Sequence, residues 1–158
     1  MRATTLRMAV VLLVGCGGQE EEAGRRLWPE NPAAGRVDLV LQTARLAEEV
    51  AEEQTRHTVE TTARFFGHDP SVFAGMRVVV QDDYPECPGV STDALDGCYL
   101  AGDFNTATVR MRSPYPGRGW NIEDTALPHE LLHALIGDPT HSRPEWQQLP
   151  ELQYLLWE

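Results

Sequence analysis

Two histidines four residues apart, with a glutamate directly after the first, constrain this chain more tightly than any other feature: His129-Glu130-Leu131-Leu132-His133. Positions i and i+4 lie one above the other on an α-helix, so two imidazoles at this spacing can reach one metal ion. Glu130 stands about 100° further round the helix than His129, where its carboxylate can hold a water on that metal without being a ligand. Zinc brings such a water to a pKa of about 7, and the carboxylate can take its proton as it attacks a carbonyl. Leu127, Leu131, Leu132, Ala134, Leu135 and Ile136 surround these residues with apolar side chains. The spacing therefore predicts a helix buried on most sides. Burying two histidines and a glutamate there without a metal would be costly.

The helix has readable ends. Asn121 and Thr125 can each cap it, Pro128 fits its first turn if Thr125 is the cap, and Gly137 is placed to end it in the left-handed conformation. The longest periodic stretch spans residues 36–66. Val40, Ala44, Ala47, Ala51, Gln54, Thr58 and Phe65 fall on one helical stripe there, with Glu48, Glu49, Glu52, Glu53 and Glu60 turned largely elsewhere. Gly67 and Asp69-Pro70 terminate that predicted helix, and its His57 reads as an ordinary surface or partly buried residue. The β-branched run at 75–80 predicts a strand buried on both faces. Residues 99–101 and 106–111 read as two further strands around a turn at 102–105. Two prolines and two glycines make 113–119 a loop, and 150–157 a last short helix carrying Leu152, Leu155, Leu156 and Trp157. A chain of 158 residues accommodates one ordinary domain. The order of elements makes it α+β.

The chain contains no lysine, and its 13 arginines face 24 acidic residues for a net charge of −11. Nucleic-acid binding needs clustered positive charge to displace counterions, so that class is excluded, as is a membrane-surface helix. Arg2 and Arg7 followed by an apolar run at 8–14 read as a secretory signal, far below the roughly 20 residues that span a bilayer. The run ends in Leu13-Val14-Gly15-Cys16, which resembles a bacterial lipobox. That resemblance implies cleavage before Cys16 and a lipid on it, with attachment to the bacterial cell envelope (periplasmic face or cell surface) through the lipid alone. Residues 1–15 are then signal, 16–35 a tether without apolar period, and 36–158 the domain. Cys87 and Cys98 remain, and in an exported protein they read as one disulfide closing a Pro/Gly/Asp-rich loop, worth about 3 kcal/mol. Their spacing, with no CxxC, speaks against metal binding. Asp82, Asp83, Asp93 and Asp96 show no calcium-loop ligand order.

The segment around His129, Glu130 and His133 resembles the active-site helix of the zincin metallopeptidases, and residues 36–136 match the order of elements in that family. The resemblance implies a zincin-like α+β domain, with a backing helix on a small twisted sheet and an edge strand over the cleft, here 106–111. It also implies a Zn2+ cofactor, Glu130 as the catalytic base, and a peptide or protein substrate hydrolysed outside the cytoplasm. In the metzincin branch the motif extends to HExxHxxGxxH. Here Gly137 comes one place late and His141 two places late, and no methionine turn follows. A helix end, a glycine and a proline-stiffened turn still favour His141 as third ligand, with Asp138 and, in the gluzincin manner, Glu151 as rivals. Tyr115, Tyr154 and Arg143 are oxyanion candidates by position only. The alternative is a non-catalytic zinc-binding lipoprotein, since only 17 residues follow His141 to wall a cleft.

Overall fold

The computed structural model describes residues 25–27, 37–90 and 94–157. The signal, Cys16 and most of the tether lie outside them, as does Asp93.

Strand alternation, not helical periodicity, governs the start of the domain. Val37, Leu39 and Leu41 alternate with Asp38, Val40 and Gln42, and Val37–Gln42 forms a strand, β2. It pairs antiparallel with Arg25–Leu27, β1, which falls within the stretch expected as tether. The single helix expected over 36–66 is therefore two elements. The break comes at Thr43, whose hydroxyl accepts from the Arg45 N–H at 3.1 Å and donates to Asp82 at 2.8 Å. Helix α1 then runs Glu48–Phe65 and buries Ala51, Thr55, Thr58, Val59, Thr62 and Ala63. Glu48 and Glu49 in its first turn and Arg64 in its last complement the helix dipole.

Strands β3 (Arg77–Gln81), β4 (Gly97–Leu100) and β5 (Thr106–Arg110) complete a five-stranded sheet of order β1-β2-β3-β5-β4. The β2-α1-β3 crossover makes the first pair parallel, β5 adds parallel to β3, and β4 folds back antiparallel on the outside. This corrects the edge assignment. Residues 106–110 are an interior strand with Ala107 and Val109 fully buried, and β4 is the edge. In register, Leu39, Val78 and Ala107 lie side by side, followed by Leu41, Val80 and Val109. These residues face one core shared with α1 and the helix of the motif. The opposite face is less covered: Arg77 is exposed and Val79 half-buried, so β3 is not equally buried on both sides as expected.

The motif helix, α2, spans Leu127–Ile136 with Pro128 in its first turn. Gly137 ends it in the left-handed conformation at φ 62°, as its position predicts. Ala126 holds the cap position, but Thr125 does the capping work, accepting the Leu127 N–H at 3.1 Å. Asn121 caps the preceding turn through the Glu123 N–H at 2.7 Å. Leu127, Leu131 and Leu132 are fully buried, and truncating Leu131 or Leu132 to alanine should cost about 2–5 kcal/mol. A short 3-10 turn, Pro144–Gln148, leads into α3, Leu149–Trp157, which buries Leu152 and Leu156. The described residues thus form a small α+β domain with a mixed sheet and three α-helices. Among the described residues no helix is long and apolar enough to cross a membrane.

Candidate metal centre

Helix α2 places His129 and His133 one turn apart on the side facing the loop that follows Gly137. Their Nε2 atoms are 3.1 Å apart, and His141 brings its own Nε2 to 3.0 Å from that of His129. The three form a group whose ligand atoms all lie within 4.8 Å of one another. Tetrahedral donors at zinc–nitrogen distances of 2.0–2.1 Å would stand about 3.3 Å apart, so the spacing fits one small cation. Proton bookkeeping agrees. Nδ1 of His133 lies 2.9 Å from the Asp138 carbonyl oxygen, which can only accept. Nδ1 therefore carries the proton, and Nε2 turns a lone pair toward the other two rings. Burial and the neighbouring His133 and His141 push the His129 pKa down to about 4, and burial also lowers His133. Neutral imidazoles are the form a metal needs.

His141 reaches the group despite its irregular spacing because Asp138 folds the loop around its own carboxylate. Oδ1 accepts from the N–H and hydroxyl of Thr140 at 2.9 and 2.8 Å. Oδ2 accepts from the Ser142 N–H at 2.6 Å, its hydroxyl at 3.3 Å, the Arg143 N–H at 2.9 Å and the Trp146 indole N–H at 3.0 Å. Burial alone would raise the Asp138 pKa, but donors from Thr140, Arg143 and Trp146 outweigh it and hold the carboxyl well below its usual range. His141 sits between the two anchored residues, exposed, with φ 57°. That left-handed backbone costs a non-glycine residue about 1–2 kcal/mol, which the surrounding hydrogen bonds sustain. Asp138, weighed above as a rival ligand, thus has its carboxylate fully engaged by the loop. Glu151, the other rival, is exposed on α3 and outside the group.

Glu130 is buried beside the triad. Burial raises its pKa to about 7, while a hydrogen bond from the Tyr99 backbone works in the opposite direction. Its carboxylate occupies space that strand β4 leaves open. A Cβ at Gly97 would fall on Glu130 Oε1, 2.9 Å from Glu130 Cδ and 2.8 Å from the Ala126 Cβ. Glycine inside a strand marks a close approach of this kind. Cys98 is disulfide-bonded to Cys87, as their context predicts, and the bridge ties the loop after β3 to the edge strand. Together Pro88, Val90, Leu95, Leu100 and Pro139 line an open cleft of about 600 Å³ over the histidines and Glu130. That volume lies within the range of small-ligand sites.

Other candidates fall away from this centre. Tyr115 and Tyr154 are exposed, Tyr115 packing edge-on against Trp157, and Arg143 is exposed too; none of the three lines the cleft. Asp82 is bonded to Thr43 and Arg45, and Asp96 is paired with Arg110 and Arg112. His57 lies 3.8 Å from Glu123, on the exposed side of α1. Sequence reasoning missed Gly97, Trp146 and the structural part played by Asp138. Only an isolated glycine in a strand and an Asp-Pro-Thr turn signature hinted at the first and last.

The fold and site define an α+β domain with three histidines that could hold a metal ion. No known protein family, curated protein or solved structure matches the chain.

Proposed function

We propose that this chain is a zincin-type metallopeptidase that acts outside the cytoplasm, attached to the cell envelope by a lipid on Cys16. The observation that carries the reading is the convergence of three imidazole nitrogens beside a buried carboxylate, on the floor of a cleft flanked by strand β4, which among the described residues is an end strand of the sheet. His129, His133 and His141 would hold zinc, the cation suited to neutral nitrogen donors in a compact group. When bound, the ion supplies Lewis acidity that polarises a carbonyl and acidifies water. Glu130 would take a proton from the attacking water at its carboxylate and return it to the departing amine, and its seat against Gly97 holds that carboxylate in the cleft the histidines line. The outer edge of β4 offers backbone groups to an extended peptide, the part expected above of 106–111. Pro88, Val90, Leu95 and Leu100 favour a neutral, apolar stretch of substrate. The Cys87–Cys98 disulfide suits an oxidising compartment.

Glu130→Gln is the test. The variant should keep about one zinc per chain while hydrolysis of a casein-type substrate falls by roughly 10²–10⁴-fold. Hydrolysis that survives the change, or is absent from zinc-loaded wild type, would remove the peptidase reading. A second reading, a zinc-binding lipoprotein without turnover, draws on the placement of Tyr115, Tyr154 and Arg143 away from the cleft. It expects zinc binding with no activity for Glu130→Gln to abolish.

A further inference from the structure

We propose that Trp146 is a positioning residue of the metal centre, its indole serving as a floor common to all three imidazoles. The inference rests on the triad holding a metal and is independent of whether the centre hydrolyses anything. The indole centroid lies 4.9 Å from the ring of His129, 4.6 Å from His133 and 4.3 Å from His141. These are close approaches for aromatic pairs, and the rings meet tilted or edge-on, the favoured geometry. Trp146 touches every member of the group while supplying no ligand atom itself.

Its surroundings argue against simple core filling. Trp120 packs on the hydrophobic core cluster, whereas Trp146 is not among the residues of that cluster or those packed against it. It is half-buried on the 3-10 turn Pro144–Gln148, and its single polar atom is spent on Asp138 at 3.0 Å. Asp138 therefore does two things through two groups. Its carboxylate locks the indole, and its carbonyl oxygen accepts a hydrogen bond from Nδ1–H of His133.

The need for such a floor follows from where the ligands sit. His129 and His133 are fixed relative to each other by one helix, but each ring still rotates about its side-chain bonds. His141 hangs on an exposed loop. A metal that must first freeze three rings pays their rotational entropy from its binding energy. A rigid indole against all three removes much of that freedom before the ion arrives. Residues that orient metal ligands in this indirect way typically change affinity 10–100-fold when removed.

The experiment is a chelator-competition titration of zinc on the purified full chain, with circular dichroism as the folding control. Trp146→Ala should weaken zinc about 10–100-fold. Trp146→Phe, which keeps a ring but no N–H, should recover a large part of that loss. Trp120→Ala should lower stability and leave zinc affinity unchanged. A second measurement does not depend on the alanine variant folding: Cu2+ bound at the triad should quench the fluorescence of the adjacent indole. That quenching should disappear in Trp146→Phe and persist in Trp120→Phe and Trp157→Phe. Equal zinc affinity in wild type and folded Trp146→Ala, or quenching undiminished in Trp146→Phe, overturns the assignment. Failure of wild type to bind any transition metal overturns the metal reading itself, a result distinguishable from either.

Discussion

Two loops wall the cleft, and they are held by unlike means. The connection between β3 and β4 is closed by the covalent Cys87–Cys98 bridge. The loop after α2 is closed by one carboxylate, Asp138, which gathers six hydrogen bonds from Thr140, Ser142, Arg143 and Trp146. A disulfide acts mainly on the unfolded chain and fixes two end points. It leaves the side chains between them free to line a wall. A hydrogen-bonded hub acts on the native state and prescribes the backbone residue by residue. The loop that presents the third histidine of the group is the one built by the second method.

The comparison breaks most visibly at its centre. Asp138→Ala removes the carboxylate but keeps the backbone carbonyl that accepts from His133 Nδ1, so it should release the His141 loop and the Trp146 indole, lowering zinc affinity about 100-fold and opening residues 138–146 to limited proteolysis. If affinity holds, the hub is not what positions His141. The Cys87→Ala, Cys98→Ala double variant should do the reverse. Stability by denaturant titration should fall by about 3 kcal/mol, with metal content unchanged because no ligand sits on that loop. Zinc lost on reduction of the bridge would erase the distinction between the two walls.

Gly97→Ala sharpens the contrast on β4, the strand that carries one end of the bridge, where it meets Glu130. The added methyl should displace the carboxylate or push β4 outward, costing about 1–3 kcal/mol of stability. Turnover should fall about tenfold or more while zinc stays bound. Combining it with Glu130→Asp, whose shorter side chain vacates the carboxylate's share of the space, should restore part of the stability, the close approach to the Ala126 Cβ remaining; no recovery at all would place the fault at Ala126.

The smallest effect separates the two buried carboxylates in metal-free protein. Glu130 has a folded pKa of about 7 against an ordinary value of 4.5, so the folded state holds its proton longer than the unfolded chain. That contribution to stability is complete below pH 4.5 and is lost as pH rises toward 7. Asp138 has the opposite sign: its depressed pKa stabilises above the ordinary carboxylate range, and the gain is lost as pH falls. Melting curves should show Glu130→Gln gaining on wild type between pH 4.5 and about 7, then levelling. A constant difference across that window would contradict the burial of the charge.

What the sequence made legible was what it encodes locally. The i, i+4 histidines, the helix that carries them, its left-handed Gly137 and the paired cysteines each rest on a short spacing with one dominant structural solution. Strand β2 was hidden because Val40, Ala44 and Ala47 also satisfy a helical stripe that continues into α1. The edge strand was misplaced because strand order is set by which neighbour β5 joins, and local alternation does not carry that information. Trp146 and Gly97 matter through contacts with residues 5–17 and 33 positions away from them, respectively. The cysteine pair, whose spacing spoke only against metal binding, likewise reaches the motif through the fold, and its bridge lines the cleft.

His141, exposed and carried on the loop rather than the helix, has a kinetic consequence. Helix α2 alone offers two imidazole nitrogens, so in the proposed centre the third arm would set how long an ion stays. If its departure is coupled to opening of the turn around Asp138, the rate of zinc transfer to a chelator should follow that opening. Metal exchange in this domain would then be governed by the lifetime of a closed loop, with the helix serving as the resting place from which the ion leaves.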